Sequence, residues 1–213
     1  DLNIPYITGA EGYVFHNGHC VIHNNKRDKF GLIDKKGNWM LKAEYDAISP
    51  KDSFFVVSKG GMQSVLTENL KPILPFMEAD LWISGNSITA TMKDHTLRKY
   101  NLQGELIDDF LISNVDRLLY DTDEIRYTTA KNYDDEGNLT GETAEAEPTP
   151  YQKTANCKKY EADIGWYGLM SPSGKVITPP RYCDITAIGY DLYLCKTDDI
   201  RGEVLNGKGV RIR

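Results

Sequence analysis

Lys29-Phe30-Gly31-Leu32-Ile33-Asp34-Lys35-Lys36-Gly37, running on to Tyr45-Asp46-Ala47-Ile48, is written a second time as Trp166-Tyr167-Gly168-Leu169-Met170-Ser171-Pro172-Ser173-Gly174, running on to Tyr182-Cys183-Asp184-Ile185. The two copies align without a gap: Gly31 on Gly168, Gly37 on Gly174, Tyr45 on Tyr182 and Ile48 on Ile185. Self-similarity of this kind marks a repeat architecture, in which one supersecondary unit recurs and buries its faces against its neighbours.

Short alternating or β-branched runs extend the pattern along the chain: Cys20-Val21-Ile22, Phe54-Phe55-Val56-Val57, Ile88-Thr89-Ala90-Thr91, Ile125-Arg126-Tyr127-Thr128 and Leu192-Tyr193-Leu194. Each reads as a strand. Their starts lie 34, 34, 37 and 67 residues apart, and the last gap is close to twice the others, as an enlarged repeat would give. Five repeats of about 34 residues follow, three-stranded units of which four close at an aromatic corner, Tyr45, Phe76, Phe110 and Tyr182. Turn glycines supply the positive φ that tight hairpins need. No stretch shows apolar spacing at three and four, so the fold class is all-β with minimal helix.

Such units stack either around an axis, as the blades of a propeller, or along a line, as a solenoid. The fifth repeat ends before any aromatic corner, whereas Ile4-Pro5-Tyr6-Ile7-Thr8 is similar to Pro180-Arg181-Tyr182-Cys183-Asp184-Ile185-Thr186. An N-terminal segment completing the last blade would leave no open sheet edge. The preferred expectation is a closed five-bladed ring, a single domain over residues 1–213; an open β-solenoid is the alternative.

Phe30-Gly31-Leu32-Ile33-Asp34, with Gly37, and Tyr167-Gly168-Leu169-Met170, with Gly174-Lys175-Val176-Ile177, Pro179 and Tyr182, resemble the WG (KWG) repeats of bacterial proteins. The Trp of that pattern is replaced by Phe30 and Tyr167, and the second repeat has Ser64 and Leu70 where the two glycines would stand. The resemblance implies a β-rich interaction module, often exported, with no shared catalytic residues. A first residue other than Met agrees with a removed leader, so an extracytoplasmic location, in the periplasm or at the cell surface, is the expectation.

A formal charge of −6 argues against nucleic acid as a partner, since phosphate binding needs clustered Lys and Arg. No run reaches the roughly 18 apolar residues of a membrane-spanning helix. Cys20, Cys157, Cys183 and Cys195 lack CxxC spacing and are expected as free thiols, one disulfide being the alternative. Most of the charge sits at 132–164, read as an acidic loop inserted into the fourth repeat, with eight acids against three lysines. Long insertions lie on the surface and carry function, and tyrosines there offer contact area at low entropic cost. Tyr133, Asp134, Asp135, Glu136, Glu145, Glu147, Tyr151 and Tyr160 are the candidate interaction residues. Within the loop, Gly137–Pro150 reads as a solvated excursion, and 133–140 as a small hairpin turning at Gly137-Asn138.

Other groupings are less pointed. His16, His19, Cys20 and His23 have metal-ligand chemistry, but on a strand Cys20 faces away from His19 and His23. Asp121-Thr122-Asp123-Glu124 and Asp198-Asp199 with Glu203 lack calcium-loop spacing, and a glycosidase would need two of these carboxylates at a set separation. No nucleophile elbow or phosphate-cradling loop is present. The expected function is that of a non-enzymatic module, monomeric and without cofactor, binding a protein or a surface glycan; a propeller-type lectin or glycoside hydrolase is the alternative.

Overall fold

The structure, a computed structural model, describes residues 15–24, 28–127, 129–144 and 149–212. Its elements are all β-strands. Contacts divide the chain into two compact units, Asp1–Leu111 and Ile112–Arg213. The first holds three antiparallel meanders of four strands each. They are β1 (Phe15–His16), β2 (His19–Asn24), β3 (Lys29–Asp34) and β4 (Trp39–Tyr45); β5 (Ala47–Lys51), β6 (Phe54–Lys59), β7 (Met62–Thr67) and β8 (Pro72–Met77); and β9 (Ala79–Ser84), β10 (Ser87–Met92), β11 (Leu97–Asn101) and β12 (Leu106–Leu111).

In the second unit, β13 (Asn114–Arg126) leads into a separate hairpin of β14 (Thr129–Tyr133) and β15 (Leu139–Ala144) before returning as β16 (Thr149–Glu161). The fourth sheet runs β13-β16-β17, with β17 at Tyr167–Met170. The fifth is β18 (Asp184–Gly189), β19 (Leu192–Lys196) and β20 (Gly202–Asn206). In these two sheets the fourth position is marked by single bridges, Tyr167↔Tyr182 and Met170↔Val176 in one and Leu205↔Arg211 in the other.

The repeat is therefore a four-stranded unit, where the sequence suggested three strands and a corner. The corner aromatics account for the difference. Tyr45 pairs with Phe30 across the sheet, and Tyr182 exchanges backbone hydrogen bonds of 2.7 and 3.1 Å with Tyr167, so the two aromatic ends of each phrase face one another on adjacent strands. Phe76 and Phe110 lie within fourth strands, β8 and β12. The likeness at Ile4–Thr8 falls outside the described residues, and among the described residues no sheet closes on itself.

The core follows the strand period of two. The second strand of each repeat sheet buries residues two apart, Cys20 and Ile22, Phe55 and Val57, Ile88 and Ala90, Ala155 and Cys157, Tyr193 and Cys195, with Thr89 buried as well between Ile88 and Ala90. Each large one contributes about 1.5–3 kcal/mol by leaving water. All four cysteines are free. Burial pushes the Cys195 thiol up to about 12, which keeps it protonated and inert.

Candidate functional site: an inserted β-ribbon

Four of the five repeat sheets join their first two strands through two residues: Asn17-Gly18, Asp52-Ser53, Gly85-Asn86 and Tyr190-Asp191. The fourth sheet prolongs both strands instead. Beyond the pair Arg117↔Lys158, β13 and β16 continue through Leu119↔Thr154, Tyr120↔Lys153 and Asp121↔Gln152 to Arg126↔Thr149. The hairpin β14–β15 is inserted between them. The insertion is thus a ribbon over 119–154 rather than a loop at 132–164. The sequence boundary slipped because Ile125-Arg126-Tyr127, read as a repeat strand, belongs to the ribbon, while the true second strand is β16 around Ala155–Lys159.

Cross-strand contacts stiffen the ribbon. Gln152 Nε2 donates to Asp121 Oδ1 at 2.9 Å, Thr122 Oγ1 donates to the Tyr151 carbonyl at 2.7 Å, and Lys153 pairs with Glu124 at 3.0 Å. The Arg126 guanidinium lies 5.0 Å over the Tyr151 ring. The tip is a turn borrowed from the repeat. Asp134 Oδ1 accepts from the amides of Glu136 and Asn138 at 3.0 and 2.8 Å, and Gly137 takes φ +84°. Asp34 does the same for Lys36 and Asn38, with Gly37 at φ +82°.

The candidate residues separate accordingly. Tyr133 and Tyr151 are exposed on the ribbon, and Asp135 and Glu136 stand on its tip. Asp134 is a turn former: its hydrogen bonds from Asn138 hold its carboxyl below the usual range. Tyr160 is fully buried and corrects the sequence reading. It lies over Gly168, its partner on β17, and donates from its hydroxyl to the Thr178 carbonyl at 2.6 Å, so it serves the core rather than an interface. Glu145 and Glu147 lie outside the described residues. Leu139–Ala144, within the stretch read as a solvated excursion, forms β15, and the expected hairpin at 133–140 is present.

Sequence reasoning missed Leu119, Ile125, Tyr127 and Leu139, all exposed. With Tyr133 and Tyr151 they set six large apolar or aromatic side chains on one narrow element. The signal was available in part: between Asn114 and Tyr127 no Gly or Pro interrupts the chain, so one long strand carrying Leu119 and Ile125 was open to reading. The ribbon also carries nine acids, against Arg126, Lys131 and Lys153.

The other groupings are engaged locally. His16 Nε2 meets the Asp52 carbonyl at 2.7 Å, His23 stacks on Phe30 and pairs with Asp28 at 2.9 Å, and His19 packs edge-on against Phe55. The Asp198 carboxylate takes the amides of Ile200 and Arg201 and the Arg201 guanidinium. Among the described residues no group of three or more His, Cys, Asp or Glu is arranged to hold a metal ion.

The model of the WG containing repeat matches residues 30–62 and 167–199, the two segments that carry the duplicated phrase. Comparison with curated proteins gives no match. Among solved structures, the computationally designed Ika8 protein is similar at 15% identity and TM-score 0.31, over 93% of this chain and 71% of that one. Hsv2 of Kluyveromyces lactis is similar at 10% identity and TM-score 0.34, over 91% and 60%. BamB from Moraxella catarrhalis is similar at 12% identity and TM-score 0.31, over 92% and 70%. These scores lie below the level at which two chains share an overall arrangement.

Proposed function

We propose that this chain, built on WG containing repeats, is a non-enzymatic binding module whose ribbon, Leu119–Thr154, is its recognition element. The observation that carries the proposal is the exposure of Leu119, Ile125, Tyr127, Tyr133, Leu139 and Tyr151 along one ribbon, whose β13–β16 part is held by its own side chains. Large exposed apolar and aromatic side chains gathered on one element, with charge between them, mark interaction sites, and aromatic anchors carry much of the energy of such contacts. The preferred ligand is a protein with a basic rim; a surface glycan is the second source of the same contacts. The repeat glycines, tyrosines and apolar positions are taken up by folding, and the Asp198 carboxylate by its own turn, which favours binding over glycoside hydrolysis.

Replacing residues 123–150 by Asn-Gly, a turn suited to the pair Thr122 and Tyr151, removes the outer ribbon and leaves the sheets. A partner isolated with the intact chain should lose binding to this variant while the variant stays folded. Retained binding would overturn the assignment. Closure of the repeats into a ring completed by Ile4–Thr8 belongs to the same proposal, supported by sequence likeness; deleting residues 1–8 should then lower the melting temperature, and an unchanged value counts against closure.

A further inference from the structure

At the base of the ribbon the ladder between β13 and β16 is interrupted. Three residues of β13, Arg117 to Leu119, span five of β16, Thr154 to Lys158. The excess is a bulge at Ala155-Asn156-Cys157, facing Leu118 in the core. Bulges re-aim side chains and free backbone groups from the ladder, and both consequences are visible. The freed amides bind the fifth sheet, Asn156 to the Tyr190 carbonyl and Cys157 to the Tyr193 hydroxyl, each at 2.7 Å. Asn156 Nδ2 is pinned by Asp191 Oδ1 at 2.9 Å, an approach that requires Gly207, where a Cβ would lie 2.0 Å from that oxygen.

The bulge floors a cleft lined by Arg117, Thr154, Asn156, Lys158, Pro172 and Tyr190. Arg117 and Lys158 are cross-strand partners, so their side chains leave the same face with Cβ atoms about 5 Å apart. Neither meets a carboxylate within ion-pair distance among the described residues, although the chain carries 31 acids. Like charges set directly opposite each other disfavour a sheet, and an anion between them would relieve the repulsion. The Tyr190 side chain, well exposed, offers a flat wall beside them. The Cys157 thiol is pushed up by burial and takes no part.

We propose that this cleft binds a small organic anion, a carboxylate or phosphate on a sugar-sized body, with Arg117 and Lys158 on the charge and Tyr190 against the uncharged part. A guanidinium grips a planar carboxylate or a phosphate through two donors, and the lysine adds a point charge. The site lies at the base of the ribbon, where Thr154 lines it as the cross-strand partner of Leu119.

The test is titration of the full chain with D-glucuronate and with glucose 6-phosphate, followed by the backbone amide signals of Asn156 and Cys157, with D-glucose as the neutral control. Both signals should shift with at least one anion and stay unmoved by glucose; the tighter anion identifies the head group. Arg117→Ala and Lys158→Ala should each weaken binding at least fivefold, Arg117→Lys less, and 0.5 M NaCl should weaken it in the parent chain. Tyr190→Ala should weaken the sugar anion more than acetate. Absence of a shift with either anion, an equal response to glucose, or undiminished binding in a folded Arg117→Ala, Lys158→Ala double variant would overturn the proposal.

Discussion

Gly31 and Gly168 occupy the same place in the duplicated phrase and exclude a side chain for different reasons. A Cβ on Gly31 would stand 2.6 Å from the Leu41 carbonyl oxygen and 2.7 Å from the Trp39 ring; on Gly168 it would stand 2.5 Å from the Tyr160 ring. At both positions the need is for close approach within a strand. Backbone yields less than a side chain, so Gly31→Ala should destabilise more than Gly168→Ala, each by about 1–3 kcal/mol in urea unfolding. Tyr160→Phe should cost about 1–2 kcal/mol by stranding the Thr178 carbonyl. In the second repeat Ser64 replaces the glycine and donates to the Leu74 carbonyl, while Leu70 takes the turn glycine's place at φ +60°.

The turn aspartates titrate with a definite sign. Hydrogen bonds from Asn38 to Asp34, from Asn138 to Asp134, and from the amides of Arg201 and Ile200 to Asp198 hold these carboxyls below their ordinary value. Their folded pKa values are lower than the unfolded value of about 3.9, so the stability they contribute is present above that pH and is lost as pH falls through the folded values. Denaturation midpoints should drop below about pH 4. Asp34→Asn should soften that drop while keeping the turn, as Asn101 and Asn206 already do at the same position.

At the scale of elements, the ribbon stands outside the repeat's packing. β16 pairs with β17 only from Lys158 to Glu161, so the outer ribbon is two-stranded. Replacing 123–150 by Asn-Gly leaves Leu118, Ala155 and Cys157 in the core, and the melting temperature should move by no more than about 3 °C, since a change under 1 kcal/mol corresponds to a few degrees in a chain of this size. Gly137→Ala should loosen the tip by about 1 kcal/mol, because φ +84° is strained for any L side chain.

For the whole molecule the ribbon decides the charge. Without 123–150 the chain keeps 23 acids and 23 bases, against 31 and 25 in full. The shortened variant should elute earlier from an anion-exchange column at pH 7 and lose solubility, because net charge keeps chains apart. Identical retention would place the charge elsewhere.

The duplicated phrase, the turn chemistry around Gly37 and Gly174, and the period-two burial of residues such as Phe55 and Val57 were legible in the sequence, because each depends on residues a few positions apart. Tertiary structure decided the fourth strand, since the pairing of Phe30 with Tyr45 and of Tyr167 with Tyr182 joins residues 15 apart through a bulged ladder that has no local signature. It also decided the roles of two tyrosines on β16 that look alike in sequence: Tyr151 is left in water by a two-stranded segment, whereas Tyr160 is drawn inward by the empty place above Gly168. Local chemistry determines which turns and strands form; which side chains remain exposed is set by what the neighbouring strand leaves uncovered.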